Sequence, residues 1–273
     1  MTTLEVALCQ YGLGTADSMA QLQTTVENLF ERAGNADLYV LPELFLSDLR
    51  LEDEDTPLER TVLTSEEQST YHEFVKSAAK ERDAVIVAGS YNVADDGDVY
   101  NRMPIATPES FELYDKRHPT PGERESGKTA GVEAPPIVNH QDTKIGVLNC
   151  YDIEFPELTR ELVDRGAEVI ANPSWTGSDA GYQRISQCGA ARAIENQCYV
   201  ASVPLVGSRG DCQGTGRAAI FSPCDDIHGA HGTRLRLPRD EPAAATCPVD
   251  IAALRASRQE AEVRPYSDYL EGK

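Results

Sequence analysis

Short apolar runs typical of buried strands alternate along the chain with segments whose apolar residues recur every three to four positions, as in amphipathic helices. The strand-like segments are Leu4–Cys9, Asp37–Leu41, Ala84–Val93, Arg102–Thr107, Ser110–Tyr114, Lys144–Leu148, Glu168–Ala171, Cys198–Val203, Ala218–Phe221 and Ala245–Val249. The helix-like segments are Ser18–Ala33, Glu66–Arg82, Pro156–Arg165, Tyr182–Asn196 and Ile251–Ala261. This alternation predicts an α/β protein whose sheets are covered by helices.

No internal repeat or long linker divides the chain, so we expect one domain over residues 1–273. Two acidic stretches, Glu52–Asp55 and Asp95–Asp98, are typical of solvated loops. The segment His118–Pro136 is rich in Gly, Pro and charged residues and predicts a long loop. Loops of that length in compact domains are often functional.

Charge narrows the range of partners. The formal net charge is −20, from 45 acidic and 25 basic residues, and only six of the basic residues are lysines. Such a surface repels the phosphates of nucleic acids, so we expect no nucleic-acid partner. Many acidic residues with few lysines are typical of proteins that work in concentrated salt, where screening weakens self-repulsion. The alternative is an ordinary acidic cytosolic protein.

Cysteine usage and hydropathy indicate a cytoplasmic protein. The seven cysteines are odd in number and form no CxxC pair, which favours reduced thiols over a disulfide framework. No apolar stretch approaches the roughly 18 residues that a membrane-spanning helix needs. The first residues, MTTLEVALCQ, lack the basic start and apolar run of a signal peptide. We therefore expect no membrane partner.

Three residues with complementary chemistry each follow a predicted strand: Glu43, Lys116 and Cys150. Side chains at the carboxyl ends of strands converge on one edge of an α/β sheet. A thiol can act there as a nucleophile, a carboxylate as its general base, and an ammonium as the stabiliser of an oxyanion. The backbone N–H of Tyr151 is a second candidate donor to that oxyanion. On position alone, ordinary packing is the more usual role, since most cysteines at strand ends are packing residues.

The sequence around these residues resembles the nitrilase, or carbon–nitrogen hydrolase, superfamily. LPELF (41–45), YDKRH (114–118) and GVLNCYDIEFPELTRELVDRGAEVIANPSW (146–175) resemble its three catalytic motifs in order, and ARAIENQCYVASVPLVG (191–207) resembles its next helix and strand. The resemblance implies a four-layer α-β-β-α sandwich and a homodimer or higher homo-oligomer. It also implies hydrolysis of a non-peptide C–N bond without a metal or organic cofactor.

Carried over by motif, the resemblance makes Glu43 the base, Lys116 the oxyanion stabiliser and Cys150 the nucleophile. A second active-site carboxylate is expected in the following loop, with Glu123 the better match and Glu125 the alternative. Tyr151, Asn172 and Trp175 are candidates for the substrate pocket, and Trp175 is equally consistent with a core anchor. The expected reaction converts a small amide or carbamoyl compound, through a thioester on the cysteine, into an acid and ammonia.

The match also has departures. GKTAG (127–131) replaces the aromatic residue that commonly precedes the Gly ending that loop. Glu154 stands where many members have Arg, and an acidic residue there would repel the distant carboxylate of a dicarboxylate-derived substrate, so Glu154 is a candidate determinant of specificity.

Other functions remain as alternatives. A nitrilase would use the same three residues on a nitrile, whereas a non-catalytic scaffold on this fold would be expected to lose one of them. His228 and His231 have a spacing that permits a metal pair, but no third ligand is evident, so we expect no metal site. His118, beside the predicted loop, is more typical of a solvated or structural histidine than of a partner for Cys150.

Overall fold

The computed structural model describes residues 3–51, 56 and 58–272. The predicted acidic loop Glu52–Asp55 lies outside the described residues. The strands are β1 (Thr3–Gln10), β2 (Gly12–Leu13), β3 (Leu38–Val40), β4 (Val85–Val87), β5 (Tyr91–Asp95), β6 (Asp98–Ala106), β7 (Phe111–Asp115), β8 (Ile137–His140), β9 (Thr143–Val147), β10 (Val169–Ser174), β11 (Tyr199–Pro204), β12 (Val206–Arg209), β13 (Cys212–Thr215), β14 (Ala219–Phe221), β15 (Thr233–Arg236) and β16 (Ala243–Asp250).

Helices lie in five of the connections between these strands and after β16. The α-helices are α1 (Met19–Ala33), α2 (Leu58–Thr61), α3 (Ser65–Arg82), α4 (Pro121–Glu125), α5 (Pro156–Asp164), α6 (Asp179–Asn196), α7 (Ile251–Glu260) and α8 (Pro265–Glu271). Two short 3₁₀ helices span Phe45–Leu49 and Cys150–Glu154. No helix in the described part of the chain is long and apolar enough to cross a lipid bilayer.

Two large sheets form the centre of the molecule. The first has the order β16-β1-β3-β4-β6-β5, with β7 also paired to β6, and the second has the order β15-β14-β11-β10-β9-β8. Strands β1, β3 and β4 are parallel, as are β9, β10 and β11. Strand β1 also pairs along its whole length with β16, from Thr3 opposite Asp250 to Gln10 opposite Ala243. This pairing joins the beginning of the described chain to its late part.

Three buried apolar clusters show how the layers stack. One contains Val6 and Leu38 of the first sheet together with Val147 and Ala201 of the second, so it lies between the two sheets. A second packs α1 and α3 against the outer face of the first sheet. A third packs α5 and α6 against the outer face of the second. The layers are therefore α-β-β-α, which confirms the predicted four-layer sandwich.

One predicted strand was wrong. Ala84–Val93 forms two strands, β4 and β5, because the backbone turns at Gly89, where φ is +62°. A Cβ atom at Gly89 would lie 2.3 Å from the carbonyl oxygen of Pro42 and 2.6 Å from the Phe45 ring. Only glycine combines that positive φ with such a close approach. The turn therefore packs directly beneath the segment that carries Glu43.

Candidate active site

Strands from both sheets end at the same edge of the sandwich and carry the candidate residues. Glu43 follows β3, Lys116 follows β7, Cys150 follows β9, and Trp175 follows β10. Two of the connecting turns are sharp, since Leu44 has φ +51° and Cys150 has φ +49°. Left-handed backbone is uncommon for residues with a Cβ and clusters at functional sites. Neither turn was predicted from the sequence.

A buried ion-pair cluster links three of the predicted residues. The Lys116 ammonium lies 2.7 Å from Glu43 Oε1 and 2.7 Å from Glu123 Oε2. The Lys116 side chain is only 1% exposed and the Glu43 side chain 4%. Burial opposes the charge on Lys116, but the two carboxylates outweigh it and raise the pKa of the ammonium well above its ordinary value. Lys116 is therefore a fixed cation at neutral pH.

The cluster also distinguishes the two candidate loop carboxylates. Glu123 is the third residue of α4, where its carboxylate accepts the N–H of Thr120 while the Thr120 hydroxyl accepts the N–H of Glu123. This capping box turns Glu123 inward, whereas Glu125 is exposed at the end of the helix. Burial alone would raise the pKa of Glu123, but Lys116 and Lys128 hold it well below its usual range. Of the two, Glu123 is the one that contacts Lys116.

The candidate nucleophile lies beside this cluster. The Cys150 thiol donates to the carbonyl oxygen of Trp175, with a sulfur-to-oxygen distance of 3.6 Å, and it also interacts with the Glu43 carboxylate. Burial raises the pKa of the thiol well above its ordinary value, and the charge of Glu43 raises it further. The thiol is therefore neutral at rest, and its proton can pass to a carboxylate that is already in contact with it.

Asn101 was not among the predicted residues, although it contacts both carboxylates. Its Nδ2 donates to Glu43 Oε1 at 2.9 Å and to Glu123 Oε1 at 3.1 Å. Its Oδ1 accepts from Asn149, the residue before Cys150, at 3.2 Å. The segment that could have drawn attention, VYNRM, reads only as part of a strand. Asn101 therefore links the two carboxylates, Glu43 and Glu123, to the segment that carries Cys150.

A second buried side chain joins the lysine segment to the nucleophile segment. The Asp152 carboxylate accepts the backbone N–H groups of Arg117 and His118, at 3.3 and 2.8 Å, and the hydroxyl of Tyr114 at 3.2 Å. The His118 ring also contacts Asp152 and stacks on Phe155. These contacts account for His118 as a structural residue.

Asn172 contacts the segment that carries Cys150. Its Nδ2 donates to the carbonyl oxygens of Leu148 and Cys150, and its Oδ1 accepts from the hydroxyls of Ser174 and Ser202. The side chain is fully buried. These contacts hold the side chain beneath the nucleophile loop, and the predicted contact of Asn172 with substrate stays a prediction.

The other residues predicted for the substrate pocket are Trp175, Tyr151 and Glu154. Trp175 lines a cavity near Cys150, packs partly against the core and donates from Nε1 to the Gln213 carbonyl at 2.7 Å. Its contact with substrate stays a prediction. Tyr151 is half-buried and packs edge-on against Phe155. The Glu154 carboxylate pairs with Arg184 of α6 at 3.2 Å, and this ion pair accounts for its charge without a substrate.

The predicted absence of a metal site remains a prediction. Among the residues that the structure describes, no three His, Cys, Asp or Glu side chains are grouped so that they could hold a metal ion. His228 contacts Asp225, which also accepts from Ser257.

A family model and several curated proteins are similar to this chain. A family model described as carbon-nitrogen hydrolase matches residues 5–229. The chain is 30% identical to the probable hydrolase YhcX of Bacillus subtilis over 97% of this chain and 53% of that protein, so it spans about half of that relative's length. It is 32% identical to the 2-oxoglutaramate amidase of Bacillus subtilis, over 76% of this chain and 78% of that protein.

A solved structure agrees with the fold. The crystal structure of XC1258 from Xanthomonas campestris, a CN-hydrolase superfamily protein, superposes with a TM-score of 0.80 at 25% identity, and the match covers 100% of this chain and 98% of that one. Family model, relatives and layered architecture agree, and the chain belongs to the carbon-nitrogen hydrolase family within the nitrilase superfamily.

Proposed function

We propose that this hydrolase of carbon–nitrogen bonds cleaves a small amide or carbamoyl compound through a thioester on Cys150. The observation that carries the proposal is the contact of one buried ammonium, Lys116, with two carboxylates, one of which also contacts the thiol. Each buried ion costs several kcal/mol of desolvation. Charges kept buried at such a cost beside a thiol are typical of a catalytic site rather than of an inert scaffold.

The first half of the proposed reaction forms the thioester. Sγ of Cys150 attacks the amide carbonyl carbon while its proton passes to Glu43. Two of the three ammonium hydrogens of Lys116 are taken by Glu43 and Glu123, so the third is available to the oxyanion. The N–H of Tyr151 lies in the first turn of the 3₁₀ helix, where N–H groups lack intrahelical acceptors, and it is the second donor.

The second half releases both products. When the oxyanion collapses, the C–N bond breaks and the leaving nitrogen takes the proton from Glu43, which gives ammonia from a primary amide. Glu43 then accepts a proton from water as the water oxygen attacks the thioester carbon. Collapse of this second oxyanion breaks the C–S bond, and the proton returns to sulfur. The acid leaves and the thiol is restored.

Other features support the assignment to one amidase-like domain. The amidase named among the relatives points to amides as the substrate class. We also propose that residues 1–273 form a single carbon–nitrogen hydrolase domain, since β1 pairs with β16 and both belong to the sheet that carries Glu43.

Removal of the thiol tests the proposal. We expect Cys150→Ala to reduce kcat/KM by more than about a thousandfold on any amide that the native protein hydrolyses. Cys188→Ala is the matched control, because Cys188 is a free thiol of helix α6 outside the cluster. Both variants should unfold at nearly the native temperature. Full hydrolysis by Cys150→Ala would rule the mechanism out, and matched nitriles in the same assay would distinguish a nitrilase.

A further inference from the structure

The cavity near Cys150 has a volume of about 210 Å³ and lies where two distant parts of the chain meet. The segment 44–51 contributes Leu51 to its lining, and the β12–β13 hairpin contributes Cys212. Trp175, whose carbonyl oxygen accepts from the Cys150 thiol, lines it as well. The volume is below the range of about 300–1,000 Å³ that is usual for drug-sized ligands. The width of the cavity therefore depends on how segment 44–51 is held against the hairpin.

Segment 44–51 is anchored by a buried carboxylate. Asp48 is fully buried and accepts the backbone N–H groups of residues 14–16 at distances from 2.6 to 3.1 Å. The hydroxyl of Tyr11 donates to the same carboxylate at 2.9 Å. Successive backbone N–H groups of this kind form a nest that stabilises an anion away from water. These contacts fix segment 44–51 to the loop that follows β2.

Arg209 of β12 joins the hairpin to the same segment. Its Nε donates to the carbonyl oxygen of Leu51 at 2.7 Å, and its Nη1 lies 3.5 Å from Asp48 Oδ1. It also donates to the carbonyl oxygen of Ala16 at 3.1 Å and to the Asp17 carboxylate at 2.9 Å. A guanidinium presents its N–H groups in a rigid planar fork, so one side chain can hold all four acceptors together. Three separate stretches of the chain therefore meet at one cation.

The guanidinium acts on the cavity through the residues that it holds. Arg209 does not itself line the cavity within the described part of the chain, whereas Leu51, which accepts from its Nε, does. Cys212, which also lines the cavity, is paired directly opposite Arg209 in the β12–β13 hairpin. Loss of the guanidinium would release Leu51 from the hairpin, and the cavity would then widen.

We propose that Arg209 is a positioning residue that limits the length of the acyl chain that the site accepts. By holding Leu51 against the hairpin, it keeps the cavity narrow, so that amides with longer chains meet a wall that does not yield. One methylene in an apolar pocket changes kcat/KM by about 10- to 200-fold. This inference rests on the proposed function and adds a control of substrate size at the same site.

A purely structural role for this arginine would give different kinetics. An arginine that only stabilises the fold affects the amount of active protein, so its loss reduces kcat/KM by the same factor for every amide. An arginine that sets the width of the cavity changes how kcat/KM depends on chain length, chiefly through KM. The test therefore compares butyramide with hexanamide, which has the same amide group and a longer chain. The readout is the ratio of kcat/KM for butyramide to that for hexanamide.

The decisive variant is Arg209→Met, which removes the donors and keeps an unbranched side chain. We expect the native protein to favour butyramide, and the ratio to fall at least about tenfold in the variant. Arg82→Met is the matched control, because the Arg82 side chain is 21% exposed, against 22% for Arg209, and pairs with Glu27 of α1. Its ratio should stay within about twofold of the native value. Equal losses on both amides in Arg209→Met, or no preference in the native protein, would overturn the inference.

Two further variants test the route through Leu51. Arg209→Lys keeps a cation near the buried Asp48 and so protects the fold, but a single ammonium cannot hold the same four acceptors, and the ratio should again fall. Leu51→Ala shortens a residue of the cavity lining and should also lower the ratio. In the Arg209→Lys/Leu51→Ala double variant, the two effects should be less than additive. Full additivity would show that Arg209 does not act through Leu51 and would contradict the inference.

Binding to Cys150→Ala separates this inference from the proposed function. Ligand-observed NMR measures the weak binding of butyramide and hexanamide without any turnover. We expect the preference for butyramide to fall at least about tenfold when Arg209→Met is added to Cys150→Ala. Failure of butyramide to bind, or an equal preference in both proteins, would overturn the inference even if the native protein hydrolyses both amides. Length-selective binding that depends on Arg209, without any amide hydrolysis, would instead count against the proposed function alone.

Discussion

At the scale of single residues, the predicted trio depended on sequence motifs, whereas the groups that support it depend on the fold. Glu43, Lys116 and Cys150 each follow a strand, and that position could be read from the strand-like segments before them. Asn101 lies inside β6, and nothing in a strand sequence marks a side chain that will face a carboxylate. Lys128 was seen only as a departure from the family pattern. The supporting residues could not be predicted from the sequence, because their roles depend on contacts between segments that are distant along the chain.

Asn101 is expected to act as a positioning residue. Because its single amide group holds both Glu43 and Glu123, Asn101→Ala should leave Glu43 poorly oriented. We expect kcat to fall about 10- to 100-fold, the size of effect that a misplacement of about 1 Å produces, while KM changes only a few-fold. Asn139→Ala, at an exposed position of β8, is the control. An unchanged kcat would show that Glu43 and Glu123 are correctly oriented without the Asn101 amide.

The ionisation of Cys150 leads to a prediction about pH. An ordinary cysteine thiol ionises near about pH 8.5, but burial and the charge of Glu43 raise the pKa of Cys150. If the attacking species is the neutral thiol with Glu43 as its base, activity should stay constant across the pH range in which an ordinary cysteine thiol would ionise. We expect a flat profile of kcat/KM between about pH 7 and 9. A steady rise with an apparent pKa near 8.5 would indicate that a preformed thiolate attacks.

The raised pKa of Cys150 also has a consequence for stability, and its sign can be stated. As pH rises through the ordinary thiol pKa, the unfolded chain ionises this thiol while the folded protein still keeps it protonated. The unfolded state then binds fewer protons, so the contribution of Cys150 to stability decreases with rising pH. Cys150→Ala should therefore lose less unfolding free energy than the native protein between pH 8 and 10, in denaturant titrations at each pH.

At the scale of elements, long periodic helices and central strands were predicted well, and turns were not. Helix α1 spans Met19–Ala33 after the cap Ser18, which agrees closely with the segment Ser18–Ala33 predicted from apolar spacing. The strand break at Gly89 was missed because VIVAGSYNV is apolar enough to be read as one buried strand. Short elements such as β2, α4 and β15 lack a full hydrophobic period. Their conformation depends on partners that are distant in sequence.

The break at Gly89 is expected to matter for activity as well as stability. In Gly89→Ala the new Cβ meets the Pro42 carbonyl oxygen and the Phe45 ring, and the residue also has positive φ. We expect a loss of about 2–4 kcal/mol of unfolding free energy and a marked fall in kcat, because Pro42 directly precedes Glu43. Denaturant titration and steady-state kinetics measure the two effects.

Gly97 offers a matched control for this substitution. It also has positive φ, at +89°, but a Cβ there would have no heavy atom within 4 Å. Gly97→Ala should therefore cost only the backbone strain, about 1 kcal/mol, and leave kcat unchanged. If the two variants lost equal stability and equal activity, the close packing beneath Glu43 would not be the cause.

At the scale of the whole molecule, the layered architecture followed from the alternation of strands and helices together with the motif resemblance. Alternation alone predicts helices over sheets, but it does not tell whether one sheet or two are present. The split into two sheets follows from pairing, such as β1 with β16 and β14 with β11. Association into a homodimer or larger assembly, which the resemblance implies, stays a prediction that sedimentation analysis would test.

Net charge is the other property of the whole molecule, and the structure shows where two of the six lysines lie. Lys116 and Lys128 are buried at the candidate site, so the exposed positive charge is largely that of arginine. Several arginines pair with more than one acidic group, as Arg102 does with Asp95 and Asp115. These pairs offset only part of the excess of 45 acidic over 25 basic residues. Self-repulsion among the remaining carboxylates therefore opposes folding at low ionic strength.

We therefore expect salt to stabilise the protein. The Debye length falls from about 30 Å at 0.01 M salt to about 3 Å at 1 M, so molar KCl should remove most of the repulsion between exposed carboxylates. The buried cluster of Lys116, Glu43 and Glu123 is screened far less, since its side chains lie away from solvent. Unfolding temperature and activity should both rise from low to molar KCl, and a neutral osmolyte at equal osmolality should not reproduce the rise in activity. Stability that did not change between 0.01 and 1 M KCl would show that this net charge reflects an ordinary acidic protein rather than adaptation to salt.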